Sequence, residues 1–366
     1  MIIPLHHTYI HPSAPERVNE VLRTTFLSEG KTVVQFEEEL ENYLGVRNCV
    51  AVNSGTSALH LALVLAGVGD GDEVILPAQT FIATGLVILQ QKAIPVFADI
   101  EYQTGNISVA SVRACLTPRT KAILVVHWGG YPCDLDEINT LARERSIQVI
   151  EDGAHALGAT YHDRPVGSIS PFTCFSFQAI KHVTTGDGGA LCALDQAHYR
   201  KAMAKRWFGI DRHQAPAGEL GERQYDLKEI GYKYHLNNFG AALGLANLIG
   251  FKERLNNRRA IAEFYREKLA KIAGVELWQS KPDRSSAWWL FGFHVHDRIR
   301  FIRALKNAGI TTSVVHQRID RNSVFGRKVH LPEQEKFDET QIHIPIHDDI
   351  NMEKANFIVE TIGKGW

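Results

Sequence analysis

The chain has 366 residues and a mass of 41.0 kDa, more than one ordinary core accommodates, so two domains are expected. Its 40 basic and 41 acidic side chains leave a net charge of −1, which excludes attachment to nucleic acid or to a membrane surface through bulk electrostatics. At 45% hydrophobic and 22% charged residues, the composition is that of a folded globular protein, not a disordered one.

In chain order, apolar spacing predicts helices over Glu16–Phe26 and Thr32–Leu44, broken by Ser28-Glu29-Gly30. An alternating rhythm then begins. Strands are predicted over 48–53, 73–76, 95–99, 122–127, 148–151 and 172–177. Helices are predicted between them, over 57–66, 84–91, 108–115 and 135–145. Strands that alternate with helices imply an α/β fold with a mostly parallel sheet covered on both faces. Ligands of such sheets sit beyond the carboxyl ends of the strands. The loops after Val52, Pro77, His127, Glu151 and Phe177 are therefore the places for a site. Residues 211–231 are polar and irregular. A long helical stretch is expected over 237–269. The last hundred residues read as a smaller α/β unit, with strands at 288–295 and 311–315 and helices at 298–308 and 352–362.

The five cysteines, Cys49, Cys115, Cys133, Cys174 and Cys192, form no C-x-x-C pair, so neither a zinc ribbon nor a disulfide framework is expected. Reduced thiols in a cytoplasmic protein are the expectation. The N-terminus has no basic segment followed by an apolar run, and the longest apolar stretch, around Ala58–Val68, is too short to cross a bilayer.

Four short segments carry chemistry. In Ser176-Phe177-Gln178-Ala179-Ile180-Lys181, followed by Thr184-Thr185-Gly186-Asp187-Gly188-Gly189, a strand delivers a lysine to a glycine-rich turn. Desolvation there disfavours the ammonium and yields a free amine able to form a Schiff base. A lysine in a surface loop is the plainer possibility. In Glu151-Asp152-Gly153-Ala154-His155, an apolar strand runs into two carboxylates and a histidine. Asp152 can keep a pyridine nitrogen protonated, which makes that ring an electron sink, and His155 can meet a phenolic oxygen of the ring. A helix cap and a satisfied core histidine would account for the same residues without a ligand. Asn53-Ser54-Gly55-Thr56-Ser57-Ala58 precedes an apolar helix, so its free N–H groups and hydroxyls suit one phosphate, or simply a capped helix. After Gln79-Thr80, Phe81 can stack on a planar cofactor or pack in the core. Gly67-Val68-Gly69-Asp70-Gly71 lacks the glycine spacing of a dinucleotide fingerprint and precedes a strand, so a nicotinamide oxidoreductase is discarded.

The joint placement of phosphate site, stacking aromatic, ring acid and lysine resembles a fold-type I pyridoxal-phosphate enzyme. The stretches GTSALHLAL, GDEVILPAQTF, TPRTKAI, IEDGAHALGA, SFQAIKHVTTGDGG, GYKYHLNNFGAALGLANL and LKNAGITTSVVH resemble the DegT/DnrJ/EryC1/StrS sugar aminotransferases over nearly the whole chain. The resemblance implies a large domain over 1–245, with an N-terminal arm and a mostly parallel seven-stranded sheet, and a small domain over 246–366. It implies pyridoxal 5'-phosphate as cofactor and no metal. Position by position, Lys181 is the Schiff-base lysine, Asp152 the ring-nitrogen partner, His155 the support of the phenolic oxygen and Phe81 the stacking ring. Gly55, Thr56, Ser57 and Ser176 hold the phosphate.

The family's segment after Gly231 reaches into the neighbouring subunit's site, which implies a homodimer with shared sites. That segment usually reads G-Y-N-Y-R; here Lys233 replaces the asparagine and offers the partner's cofactor phosphate a point charge. His316 matches a histidine at the substrate mouth, with Arg318 and Arg321 as nearby candidates for a nucleotide diphosphate or the donor's carboxylate. The implied reaction moves the amino group of L-glutamate to a keto sugar nucleotide. The SFQAIK form resembles the branch acting on 4-keto sugars, and the product suits a surface polysaccharide such as O-antigen. Sugar dehydration belongs to a branch with histidine at the lysine position, so Lys181 favours transamination. A ketocyclitol aminotransferase and a non-catalytic cofactor-binding sensor are compatible with the same fold.

Overall fold

Short apolar runs, buried almost throughout except at the edge strand that starts at the exposed Ile94, build the central sheet. The computed structural model describes residues 2–211 and 215–366. Two helices come first, α1 (Ala14–Thr24) and α2 (Lys31–Leu44). The alternating region follows: β1 (Cys49–Val52), α3 (Gly55–Leu65), β2 (Glu73–Pro77), α4 (Ile82–Gln90), β3 (Ile94–Ala98) and α5 (Val109–Cys115). It continues with β4 (Thr120–Val126), α6 (Leu135–Arg145), β5 (Gln148–Asp152), the short β6 (Thr160–Tyr161) and β7 (Arg164–Pro165), and β8 (Phe172–Ser176). β9 (Gly189–Ala193) and α7 (Gln196–Lys205) follow.

The seven-stranded sheet has the order β1-β9-β8-β5-β4-β2-β3. β9 runs antiparallel to both β1 and β8, while the remaining pairs are parallel. β9 was not among the expected strands, because its Gly189-Ala190-Leu191-Cys192-Ala193 lacks β-branched residues. Its position makes Gly189 obligatory. A Cβ there would lie 2.5 Å from the backbone of Ser54, where β9 crosses the entry to α3.

The expected long helix over 237–269 is two helices, α8 (Asn238–Leu248) and α9 (Phe251–Leu269), separated by Gly250 with φ +67. The expected domain boundary at 245/246 lies within α8. The change of core comes further on: α9 sends Phe251 and Leu255 into the larger unit and Ile261 and Tyr265 into the smaller one. The smaller unit contains β10 (Val275–Leu277), β11 (Arg284–Ser285), β12 (Phe291–Val295), α10 (Arg298–Asn307), α11 (Pro332–Thr340), β13 (Gln341–Ile344) and α12 (Met352–Gly363). β11 crosses back to pair with β6, and the small sheet has the order β10-β12-β13.

Two C-terminal expectations are corrected. Residues 311–315 form only an isolated bridge from Ser313 to His343, and the strand that completes the small sheet is β13. The strand expected from Trp288 starts at Phe291, because Trp288 turns the chain with φ +48. At the other terminus, Ile3 bridges to Ile310 and is buried in the small unit's core. Within the irregular stretch 211–231, residues 212–214 lie outside the described residues. Among the described residues, no helix is long and apolar enough to cross a membrane.

One buried charge group fixes the edge of the sheet that leads into the candidate phosphate loop. Arg206, 1% exposed, donates to Glu37, to the Ala51 carbonyl at 2.9 Å and to Glu29 at 2.6 Å. Glu37 in turn accepts from the Ala51 N–H at 2.7 Å, so helix α2, strand β1 and the end of helix α7 are tied together. Replacing Arg206 with Met strands the Glu37 carboxylate in the core. We expect Arg206→Met to lower the unfolding free energy by about 3–5 kcal/mol in urea denaturation; a loss below about 1 kcal/mol would show that the group is dispensable.

Candidate active site

The carboxyl ends of β1, β2, β4, β5 and β8 converge on a cavity of about 330 Å3. Its walls include Gly55 and Thr56 at the start of α3, Phe81 before α4, Asp152 and His155 at and after the end of β5, Ser176 and Lys181 at and after the end of β8, and His316 from the smaller unit. The sheet places these residues together, since each stands at a strand end, follows on one or closes over it.

Lys181 reaches the cavity from the turn after β8. Burial pulls its pKa down from 10.5 to about 7, against the opposing pull of the Asp152 carboxylate. This is not a surface lysine. Its Nζ sits 3.6 Å from the centre of the Trp289 ring. The indole is fixed in turn, since its Nε1–H donates to the Ile180 carbonyl at 3.0 Å.

Asp152 is buried, and burial raises its pKa. Donors oppose that rise: the Ala154 N–H at 3.1 Å and the Thr84 hydroxyl at 2.9 Å, with Lys181 adding its charge. Thr84 shares a further hydrogen bond with Thr80 at 2.7 Å. His155 stacks on Trp289 with ring centroids 3.8 Å apart. Desolvation, then the charge of Lys181, hold its imidazole well below its ordinary pKa, so the ring is neutral. Its Nδ1 is buried and has no hydrogen-bond partner. An orphaned ring nitrogen in a cavity wall is ready to pair with a ligand atom.

The start of α3 is shaped to admit an anion. Ser54 caps the helix by accepting from the Ser57 N–H at 3.0 Å. Ser57 turns away and gives its hydroxyl to Asn53 at 2.6 Å, so it shapes the loop without lining the cavity. Gly55 lies against Ser176: a Cβ at Gly55 would come within 2.9 Å of the Ser176 Cβ. The two segments therefore approach closely only because residue 55 lacks a side chain. Phe81 is 52% exposed, too open for a core residue, and its ring lies 5.0 Å from that of His316. Burial lowers the His316 pKa to about 4, with Lys181 adding to the effect.

Besides Ser57, three further expected site residues lie outside this cavity. Arg318 and Arg321 do not line this cavity. Arg318 is buried and grips Asp320 through Nε and Nη2, both at 2.7 Å, so it is not a solvated surface arginine. Arg321 is exposed and donates to Gln317. Lys233 is exposed beside the phosphate loop, where its carbonyl accepts from the Asn53 amide at 3.3 Å. Its ammonium lies 5.5 Å from the Trp207 ring and outside the cavity of its own chain.

The structure adds residues that sequence reasoning missed. Trp289 is the wall between Lys181 and His155, and its signal was hidden in an expected strand. Thr84 lies inside an apolar helix, and nothing local marks it as the donor to Asp152. His6 comes from the N-terminal segment and stacks on Trp289 at 5.2 Å.

The arrangement suits pyridoxal 5'-phosphate. The chemistry of the donor set fits: an amine with a pKa about 7, a buried carboxylate, an orphaned imidazole nitrogen and an anion cradle with a glycine against a serine. A fold with these features is that of a fold-type I pyridoxal-phosphate transaminase.

Comparison with known proteins sharpens the class. The chain belongs to the DegT/DnrJ/EryC1/StrS aminotransferase family, whose model matches residues 9–363. It is 40% identical to the GDP-perosamine synthase of Caulobacter vibrioides over 256 residues, 70% of this chain and 67% of that one. The sugar aminotransferase CalS13 from Micromonospora echinospora superposes with a TM-score of 0.95 at 36% identity, covering 100% of both chains. The PLP form of Spr1654 from Streptococcus pneumoniae superposes with a TM-score of 0.91 at 28% identity, covering 100% of this chain and 98% of that one. The protein is a pyridoxal-phosphate-dependent sugar aminotransferase.

The cradle gives a direct test. We expect Gly55→Ala to weaken pyridoxal phosphate binding about tenfold or more, measured by titrating cofactor-free protein, because the added methyl pushes Ser176 from the anion site. Unchanged affinity would mean that the phosphate is held elsewhere.

Proposed function

We propose that this enzyme transfers the amino group of L-glutamate to the 4-keto carbon of a deoxy sugar nucleotide, giving an amino sugar nucleotide for a surface polysaccharide or glycoside. One observation carries the reading: an amine with its pKa near neutrality, Lys181, faces the buried Asp152 carboxylate across one cavity. Kinship with a GDP-perosamine synthase supports a sugar nucleotide as acceptor. The SFQAIK form, through its resemblance to the 4-keto branch, supports position 4.

Pyridoxal phosphate, when bound, supplies a carbonyl that takes up the amino group and a ring that spreads the electron pair left by proton removal. The protein does the rest. Gly55, Thr56 and Ser176 hold the phosphate at the start of α3, where the helix dipole favours an anion. Asp152, whose ionised form the Ala154 N–H and Thr84 favour against burial, would hold a proton on the ring nitrogen. His155 meets the phenolic oxygen with its free Nδ1, and Phe81 covers the ring. The Lys181 amine would take a proton from the donor's α-carbon as base and hand one back as acid. A pKa about 7 suits both duties. Trp289 confines that amine to one face of the cavity, and His316 stands at the mouth for the sugar.

Two further parts complete the reading. The enzyme acts as a homodimer, with Lys233 of each subunit extending toward the other's cofactor phosphate; its exposure and its place outside its own cavity support this. It works in the cytoplasm, in keeping with five free cysteines, four of them buried.

The visible spectrum of the cofactor-loaded protein tests the donor half. We expect a yellow band that bleaches on adding L-glutamate and returns on adding a 4-keto sugar nucleotide, while Lys181→Ala removes turnover. A band indifferent to glutamate would exclude this donor. Bleaching that only 3-keto sugars reverse would move the reaction to the neighbouring carbon.

A further inference from the structure

Behind the segment that carries His316 lies a second cavity of about 380 Å3, which shares no lining residue with the first. Arg298, Arg318, Arg321 and Lys328 line it, against one carboxylate, Asp338. The positive charge is only partly answered. Arg298 donates to the carbonyls of Asp338 and Gln341, and Arg321 to the Gln317 amide, all neutral acceptors. Lys328 is exposed.

Arg318 is the decisive group. It is 2% exposed and commits Nε and Nη2 to Asp320, with Nη2 also reaching the Val329 carbonyl at 2.7 Å. Its Nη1 is buried with no hydrogen-bond partner; the Glu335 carboxylate stands 3.7 Å away and Asp338 lies 3.9 Å from Nε. The side-chain oxygen of Gln341, also in the lining, is buried and unpartnered too. Unmet donors of a buried guanidinium are costly, and they are satisfied when a ligand supplies oxygens.

We propose that this cavity binds a phosphate-bearing anion, a phosphate monoester or a nucleoside diphosphate. Arg318 Nη1, Arg298, Arg321 and Lys328 contact its oxygens, and Gln341 accepts from a hydroxyl. Several cations around one space match a dianion with oxygens on more than one side, whereas a single carboxylate would occupy only one of them. The cavity is coupled to the reaction site by covalent and hydrogen-bonded paths. Residues 316–318 pass from one cavity to the other. The Gln334 amide donates to Asp338 at 3.0 Å and to Gln79 at 2.8 Å, and Gln79 donates to the His316 carbonyl at 3.4 Å. An anion in the second cavity therefore bears on the position of His316.

Calorimetric titration of the cofactor-loaded enzyme with inorganic pyrophosphate tests the site without any amino-group transfer. The bound cofactor occupies the other phosphate cradle. We expect pyrophosphate to bind, and its affinity to fall about tenfold or more in the Arg321→Ala/Lys328→Ala double variant. Both side chains are exposed, and an unchanged thermal midpoint verifies the fold; should the pair be unstable, the single reversals R321E and K328E give the same reading. A repeat with saturating GDP separates two sources. Displacement of pyrophosphate identifies the anion as the nucleotide's own diphosphate, and simultaneous binding identifies a separate phosphate ligand; either supports the site. No heat with pyrophosphate, or equal binding by wild type and variants, overturns it.

Discussion

Taking one amine out of water is the constraint on which the rest of this structure depends. Lys181 would stay protonated near pH 7 in solvent, and a protonated amine cannot attack a carbonyl. The walls of the cavity lower its pKa to about 7, and the Asp152 carboxylate keeps it from falling further. The same burial raises the pKa of Asp152, and the N–H of Ala154, the hydroxyl of Thr84 and the charge of Lys181 oppose that rise. Desolvation thus pushes both partners toward their neutral forms, and hydrogen bonds and mutual attraction work against it.

That environment needs two structural units. The parallel strands bring Asp152 and Lys181 to one edge and start α3 beside them, but a sheet edge alone is open to water. The smaller unit supplies Trp289 and His316, and the N-terminal segment adds His6 against the outer part of Trp289. The imidazoles gathered there are kept neutral by burial, His6 and His316 each to about pKa 4. Above about pH 5 they add no positive charge beside Lys181, so the cofactor's own charges meet a prepared but uncrowded field.

Much of this was legible in the sequence because it is local. The alternating strands, the hydroxyl-rich start of α3, the carboxylate at the end of β5 and the lysine after β8 are each encoded within a few residues, and the sheet brings them together by topology. What escaped depends on distant contacts. β9 is a strand only because Gly189 allows it to cross the entry to α3. Trp289 faces Lys181 because Trp288 turns the chain, and a run of apolar residues does not announce such a turn. Thr84 is one hydroxyl in an apolar helix until Asp152 lies above it. Arg318 shows what residue type alone leaves out: it lines the second cavity and not the first, and Asp320, two residues on, holds half of its guanidinium. The resemblance to a family supplied chemical roles, while packing decided which side chains point at the cavity.

The central claim is that burial, opposed by Asp152, makes Lys181 a free amine near neutral pH. Its most direct measurement is the rate at which cofactor-free protein takes up pyridoxal phosphate, followed by visible absorbance from about pH 5 to about pH 9. Uptake should rise as the ammonium loses its proton, with a midpoint at about 7. In Asp152→Asn the carboxylate that favours the ammonium is gone, so the midpoint should move to lower pH. A midpoint close to that of an ordinary lysine, or one that Asp152→Asn leaves in place, would contradict the account.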